Sequence, residues 1–434
     1  MALMTGGVLL VVFVALLILG APICVAIGIS SVAGALVVLP WDNSVFTAAQ
    51  RIFTGINSFP LLAIPFFVLA GNIMNSGGIA ARLVNVAKLV AGRLPGALAH
   101  TNVVGNMLFG SISGSGVAAC AAIGGTMLPI EEKEGYDKNF GAAVNIASAP
   151  TGLLIPPSNS LIVYSLVSGG TSVAALFMAG YIPGIAWGLG VMVVAFFIAR
   201  KHNYRSKGER ISIKEALKVL WDAVPSLSLI VIILGGILSG IFTATEAAAI
   251  AVVYAFILAF VFYRTIKLKD IKNILLNTVN MTGIIIFLIG VSSIMSWVLA
   301  FTNIPSMITK FILGLSSNKV IILLAMNVML LIVGTFMDLT PAVLIFTPIL
   351  LPIAQNFGMS TIQFGIMLVF NLCIGNITPP VGNTLFVGCK VGNVKLEEVI
   401  KHLLPFYVAI IIVLLLVTFI PDMSMLIPRL CGLK

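Results

Sequence analysis

The chain has 434 residues, of which 60% are hydrophobic and only 9% charged, with a mean hydropathy of +1.16. A soluble domain carries roughly a quarter charged residues, so a water-soluble globule is excluded and a polytopic membrane protein is implied. The formal charge of +10 would suit a nucleic-acid partner, but the 24 basic residues fall between apolar runs, where membrane topology accounts for them.

The first apolar run, 6–20, lacks a positive leader and a small-residue cleavage pattern, so it reads as a retained span. Gly20-Ala21-Pro22 joins it to a second span at 22–39, and a third follows at 59–77. A hairpin is predicted at 97–130, with its turn in the polar stretch Gly110-Ser111-Ile112-Ser113-Gly114-Ser115-Gly116. Its two arms, 97–110 and 117–130, would each be about 21 Å of helix at ~1.5 Å per residue. A hydrocarbon core is about 30 Å thick, so such arms point to a re-entrant loop surrounded by protein rather than a crossing pair. The alternative is a single long span with a Gly-rich kink. A span interrupted by Pro156-Pro157 is expected at 139–169 and a further span at 175–199.

The stretch 200–225 is hydrophilic and divides the chain. Ser212 to Glu215 fits a capping box, and Ile213, Leu217, Leu220, Trp221 and Val224 share one helical stripe, predicting an amphipathic helix at the membrane surface. The order of elements then recurs, with spans at 226–242, 244–263 and 279–300 and a hairpin at 320–353 turning near 334–340. An interrupted span at 362–389 and a last span at 404–421 follow. The recurrence has a fixed offset of 223. Leu128-Pro129-Ile130 returns as Leu351-Pro352-Ile353, Gly135 as Gly358, and Pro156-Pro157 as Pro379-Pro380. Two halves with matching interrupted apolar segments are the sequence sign of a secondary transporter, its site lying where the interruptions meet.

With these spans, nineteen of the 24 Lys and Arg residues fall on one side; Arg51, Lys310, Lys319, Arg429 and Lys434 fall on the other. The positive-inside rule makes the richer side cytoplasmic and places both termini outside. Each half then crosses an odd number of times, so the repeat is inverted: 1–199 is the first copy, 200–225 the cytoplasmic linker and 226–434 the second copy.

Asp338 is the one acidic residue between Glu246 and Asp422 placed at membrane depth, where ionised groups are costly and mark ion pathways. It sits in the second tip with Thr335 and Thr340, and Thr340 is suited to cap the descending helix with Pro341 in its first turn. Its mate at offset 223 is Ser115. The prolines in Thr151–Ser160 and Asn376–Thr384 remove donors, and the freed carbonyls with Ser, Thr and Asn oxygens suit a small cation such as sodium. The competing account is that these hydroxyls only satisfy backbone at kinks. The sequence has no ATP-binding P-loop, no His-Glu-x-x-His, and five cysteines (Cys24, Cys120, Cys373, Cys389, Cys431) without metal spacing. No Lys or Arg lies in either tip or break, so an anionic substrate would rest on helix N-termini, side-chain donors and bound cations.

Leu19-Gly20-Ala21-Pro22-Ile23, the Gly110–Gly116 stretch, Leu154–Asn159, Gly240–Ala249, Phe336-Met337-Asp338 and Ile377–Gly382 together resemble the large, DctM-type membrane subunit of tripartite ATP-independent periplasmic (TRAP) transporters. Ala244 stands where that family often has Pro. The resemblance implies an all-α inverted-repeat fold with an elevator-type motion. It implies sodium-coupled uptake of an organic acid, of the sialic acid or C4-dicarboxylate class, across the bacterial inner membrane. The partners implied are a small four-helix membrane subunit and a periplasmic substrate-binding protein. One sodium site would fall on Ser111, Ser113, Ser115, Ser158 and Asn159, and a second on Thr335, Asp338, Thr340, Asn376, Thr378 and Asn383. The substrate would lie between them, near Ser115, Gly116, Asn159, Thr378 and Gly382. The rival readings are a standalone sodium- or proton-coupled symporter, a membrane-embedded enzyme, for which Asp338 lacks a second acid or His, and a structural subunit.

Overall fold

The computed structural model describes residues 2–91, 95–204, 213–315 and 318–433, and among them every regular element is a helix. Eight of these helices are long and apolar enough to cross a membrane. The opening pair, Ala2–Ile18 and Ile23–Leu36, is parted where Gly20 takes a left-handed backbone (φ +78°) and Pro22 precedes the second helix.

The hairpins and the broken helices recur in both halves of the chain. The second arm of the first hairpin, Gly116–Lys133, recurs at the same offset of 223 as Leu339–Asn356. Its first arm, Ala97–Ser113, recurs as Lys319–Phe336. The first broken helix, Lys138–Ser148, Thr151–Leu154 and Asn159–Val167, matches Thr361–Gly375 and Asn383–Gly392. Both Pro-Pro bonds in the breaks are cis.

Several expectations need correction. Residues 40–58, read as a loop, form the helix Trp41–Ile56. The basic connector after the third span holds a helix too, Ile79–Ala91, as does its counterpart, Ile304–Leu315. At 16, 13 and 12 residues, each is shorter than the roughly 20 of a normal span. In the first copy, Trp41–Ile56 is separated from Ala63–Ser76 by a 3-10 turn at Phe59–Leu62. In the second, one helix, Leu268–Phe301, runs through, well before the start expected at 279. Pro60, which lacks an amide hydrogen, is matched at the repeat offset by Gly283, which a helix tolerates.

The stripe that reads as a separate surface helix in 200–225 is the opening of one continuous helix, Ile213–Leu238, with Pro225 inside it; Ser212 lies outside the described residues. Each hairpin tip is also tighter than the seven-residue polar stretches suggest, with only Gly114-Ser115 and Met337-Asp338 outside the arms. The arms reach about 26–27 Å at ~1.5 Å per residue, still under one hydrocarbon thickness.

The two copies pack by exchange. Asn159–Val167 of the first lies on Leu339–Asn356 of the second, and Asn383–Gly392 of the second lies on Gly116–Lys133 of the first. Each hairpin also crosses its own broken helix backbone to backbone: Gly110 meets Gly152, and Gly334 meets Gly375, with no space for a Cβ at Gly152 or Gly375. Buried amides lock both crossings. Asn106 donates to Asn145 Oδ1 (3.0 Å) and Ser148 Oγ (2.8 Å), while Asn371 donates to Asn327 Oδ1 (2.7 Å), which also takes Thr418 Oγ1 (3.3 Å).

Candidate functional site

The tips come to rest against the breaks. In the first copy, Gly114 adopts φ +62° to turn the chain, and the Asn159 amide lies directly over it, 3.0 Å from where a Cβ would stand. Ser115 then caps Gly116–Lys133 by accepting from Ala118 N (3.3 Å). Ser111 Oγ donates to Leu108 O (2.9 Å), Ser113 Oγ to Ser115 O (3.4 Å), and Ser158 Oγ to Leu153 O (2.5 Å). Ser111, Ser113 and Ser158 each give the hydroxyl hydrogen to a carbonyl and so leave oxygen lone pairs for a ligand, the arrangement a hard cation needs. All five residues of the first predicted sodium site are thereby gathered at one tip and its facing break.

The second copy is built alike but differs in charge. Gly382, at φ +32°, donates its N–H to Thr335 O (3.3 Å), joining the break to the tip. Thr335 Oγ1 donates to Ile332 O (2.7 Å) and Thr378 Oγ1 to Ile374 O (2.7 Å), again leaving lone pairs free. Asn376 Oδ1 accepts from Thr384 N (3.3 Å). The residue preceding Leu339–Asn356 in the capping position is Asp338, not Thr340, which lies inside the helix. Yet the Asp338 carboxylate makes no capping bond, and among the described residues it has neither a hydrogen-bond nor an ion-pair partner. It is an exposed, unspent negative charge at the tip, so helix capping does not account for it. Asn383 is exposed as well, and neither it nor Thr340 is hydrogen-bonded to the other candidates.

The sequence reading missed Thr384. It is fully buried, its hydroxyl has no partner, and Oγ1 lies 3.6 Å from the Cβ position of Gly116, at the seam between the first tip and the second break. Its signal was its place at the N-terminus of the helix after the Pro-Pro break, one residue beyond Asn383. Four helices, starting at Gly116, Asn159, Leu339 and Asn383, open at these tips and breaks. Their positive dipole ends, with the first-turn N–H groups that Ser115 and Asn376 do not already take, suit an anion where no basic side chain is present.

An all-helical core of apolar spans, with hairpins seated in broken helices, defines a polytopic membrane transporter. The fold is shared with the Alcanivorax borkumensis YdaH transporter (TM-score 0.65, 13% identity, 87% of this chain and 88% of that one). It is shared also with Neisseria gonorrhoeae MtrF (TM-score 0.62, 13% identity, 87% and 85%). Residues 10–423 match the family described as the DctM component of the tripartite ATP-independent periplasmic transporter, and the chain belongs to that family. It is a transporter component, not an enzyme. Similar proteins include the sialic acid TRAP transporter large permease protein SiaM of Vibrio cholerae (38% identical, 92% of this chain and 93% of that protein). The C4-dicarboxylate large permease DctM of Pseudomonas aeruginosa is 39% identical over 92% and 94%. The isethionate permease DctMQ of Oleidesulfovibrio alaskensis is 38% identical over 95% of this chain but only 65% of its own length.

Proposed function

We propose that this chain is the large permease of a sodium-coupled system that takes up a small organic acid across the bacterial inner membrane, with both termini periplasmic. The observation that carries the reading is the pair of tip-and-break junctions. Ser111, Ser113, Ser158, Thr335 and Thr378 give their hydroxyl hydrogens to carbonyls, and the second junction holds an Asp338 carboxylate without a partner among the described residues. The first site uses Ser111, Ser113, Ser115, Ser158 and Asn159. The second uses Thr335, Asp338, Asn376 and Thr378, with Thr340 and Asn383 joining as the tip closes. The anion sits between them against Ser115, Gly116, Asn159, Thr378 and Gly382, held by helix N-termini and bound sodium.

The substrate class follows relatives whose names specify sialic acid, C4-dicarboxylates, isethionate and 2,3-diketo-L-gulonate, all acids. Two partners belong to the reading: a small four-helix membrane subunit and a periplasmic binding protein. The extra length of DctMQ fits the first, and the absence of any basic side chain at the site, which leaves intrinsic affinity low, fits the second. The transport step is an elevator movement of hairpins and broken helices against the remaining spans. Where the first tip borders those spans, the lining is apolar, with Ile112 and Pro157 facing Phe67, Leu229 and Ile233, a surface without hydrogen bonds to break on sliding.

Proteoliposome uptake of a panel of organic acids tests this, with and without binding protein and with sodium exchanged for potassium. One acid should be taken up only with binding protein and sodium together. Equal uptake in potassium would remove the coupling, and full uptake without the binding protein would favour a standalone symporter.

A further inference from the structure

The second arm of the first hairpin ends with a carboxyl group that the transport reading leaves unused. Glu131 is only 1% exposed. Among the described residues its Oε1 takes a single amide hydrogen, from Asn102 Nδ2 (3.1 Å), and its Oε2 is buried without a partner, against the backbone of Gly141. Burying an ionised carboxylate with one neutral donor costs several kcal/mol, and such a group ordinarily takes up a proton instead.

The surrounding polar cluster makes the shortage of hydrogens worse. Asn102 Oδ1 accepts from Asn106 Nδ2 (3.0 Å), the same nitrogen that serves Asn145 Oδ1 (3.0 Å) and Ser148 Oγ (2.8 Å). Asn106 Oδ1 has no donor. Asn145 spends its amide on Cys120 O (2.9 Å), and Ser148 spends its hydroxyl on Val144 O (2.8 Å). The chain of buried acceptors is short of hydrogens, and a proton on Glu131 adds one.

No cation substitutes for that proton among the described residues. On the same arm and the turn after it, Glu132 is held by Lys138 (2.8 Å), and Lys133 and Glu134 are exposed. At the start of the facing helix, Asp137 lies 3.8 Å from His402. On the first arm, His100 bonds through Nε2 to Pro95 O (3.0 Å). Ile79–Ala91 brings Arg82, which pairs with Asp222 (3.2 Å), and Lys88; Asn383–Gly392 brings Lys390, which is exposed. Tyr136 and Tyr204 stack beside the cluster at 4.7 Å between ring centroids. None of these groups forms an ion pair or hydrogen bond with the Glu131 carboxyl.

We propose that Glu131 is a proton-binding site that holds one exchangeable proton where the first hairpin is seated against Lys138–Ser148, on the face that the charge asymmetry makes cytoplasmic. Closure of this contact takes up a proton, and admission of water releases it. The proposal stands apart from sodium coupling, because it concerns packing inside the first copy and needs no substrate. It makes the cytoplasmic side of the hairpin sensitive to internal pH.

Infrared difference spectroscopy of the purified, lipid-reconstituted chain tests it through the carbonyl stretch of a protonated carboxylic acid. At neutral pH one such band should be present, lost in Glu131→Gln and bleached reversibly as pH rises. Asn102→Leu, which removes the amide donor to Oε1, should move the bleaching midpoint to higher pH and thereby identify the group if Glu131→Gln does not fold. In thermal unfolding, the unfolded chain ionises Glu131 at ordinary carboxylate pH while the folded chain resists. Wild type should therefore lose stability relative to Glu131→Gln as pH rises above that range, and the two should converge in acid. A wild-type spectrum without the band at neutral pH, or a band unchanged in both variants, overturns the proposal.

Discussion

Asp338 and Ser115 occupy the same place in the two copies and have opposite assignments. Ser115 spends its side chain on capping, accepting from Ala118 N at 3.3 Å, whereas Asp338 leaves its carboxylate unspent. Asp338→Asn keeps the shape and removes the charge. A charged ligand contact is worth about 1.5–3 kcal/mol, so the sodium concentration for half-maximal uptake should rise roughly tenfold or more, with expression and thermal stability unchanged. Unaltered sodium dependence would detach Asp338 from the ion. Thr384 offers a complementary test, since its buried hydroxyl has no partner among the described residues. Thr384→Val should leave thermal stability equal or slightly raised, because an unpaired buried hydroxyl is itself a cost of about 1–3 kcal/mol. If the hydroxyl faces substrate or ion, uptake should fall about tenfold and Thr384→Ser should restore it. Asp338 was legible from sequence because a charge at membrane depth stands out against apolar neighbours. Thr384 was not, because a threonine beside a Pro-Pro break looks the same whether its hydroxyl is spent or idle.

The hairpins and broken helices were legible as elements because prolines, glycines and a fixed offset mark them. Their turns were read as too wide, since Ser111, Ser113 and Thr335 look like loop residues but return their hydroxyl hydrogens to carbonyls three positions earlier or nearby and stay within or beside helix. The helices Trp41–Ile56, Ile79–Ala91 and Ile304–Leu315 escaped notice because a search for long apolar runs passes over short amphipathic ones. What no periodicity reveals is the glycine crossing inside each copy. Gly375→Ala would drive a methyl into the backbone of Gly334, and overpacking of this kind costs about 1–3 kcal/mol. Gly375→Ala should therefore lower the unfolding temperature in detergent and abolish uptake, while Gly125→Ala, where a Cβ meets nothing, should do neither. The amide lock beside the crossing predicts a similar loss for Asn371→Leu, which strips Asn327 Oδ1 of its 2.7 Å donor. Equal stability of Asn371→Leu and wild type would show that the lock contributes nothing.

At the scale of the molecule, the charge asymmetry fixes the orientation to be tested. A cysteine placed at Lys269 should react with an impermeant thiol reagent only when the cytoplasmic face is opened, and one at Asp42 should react in intact cells. Reversed labelling would invert the proposed topology. The exchanged packing of Asn159–Val167 on Leu339–Asn356, and of Asn383–Gly392 on Gly116–Lys133, has a consequence for how the chain is made. When the ribosome has finished the first copy, the helix after its Pro-Pro break and the second arm of its hairpin are packed within that copy but lack the second-copy helices that later cover them. They must wait, inside the bilayer or the insertion machinery, until synthesis passes residue 392. The packing between the copies is therefore among the last things the nascent chain can assemble, and a chain truncated in the second copy keeps the residues of the first tip and break but not the helices that cover them.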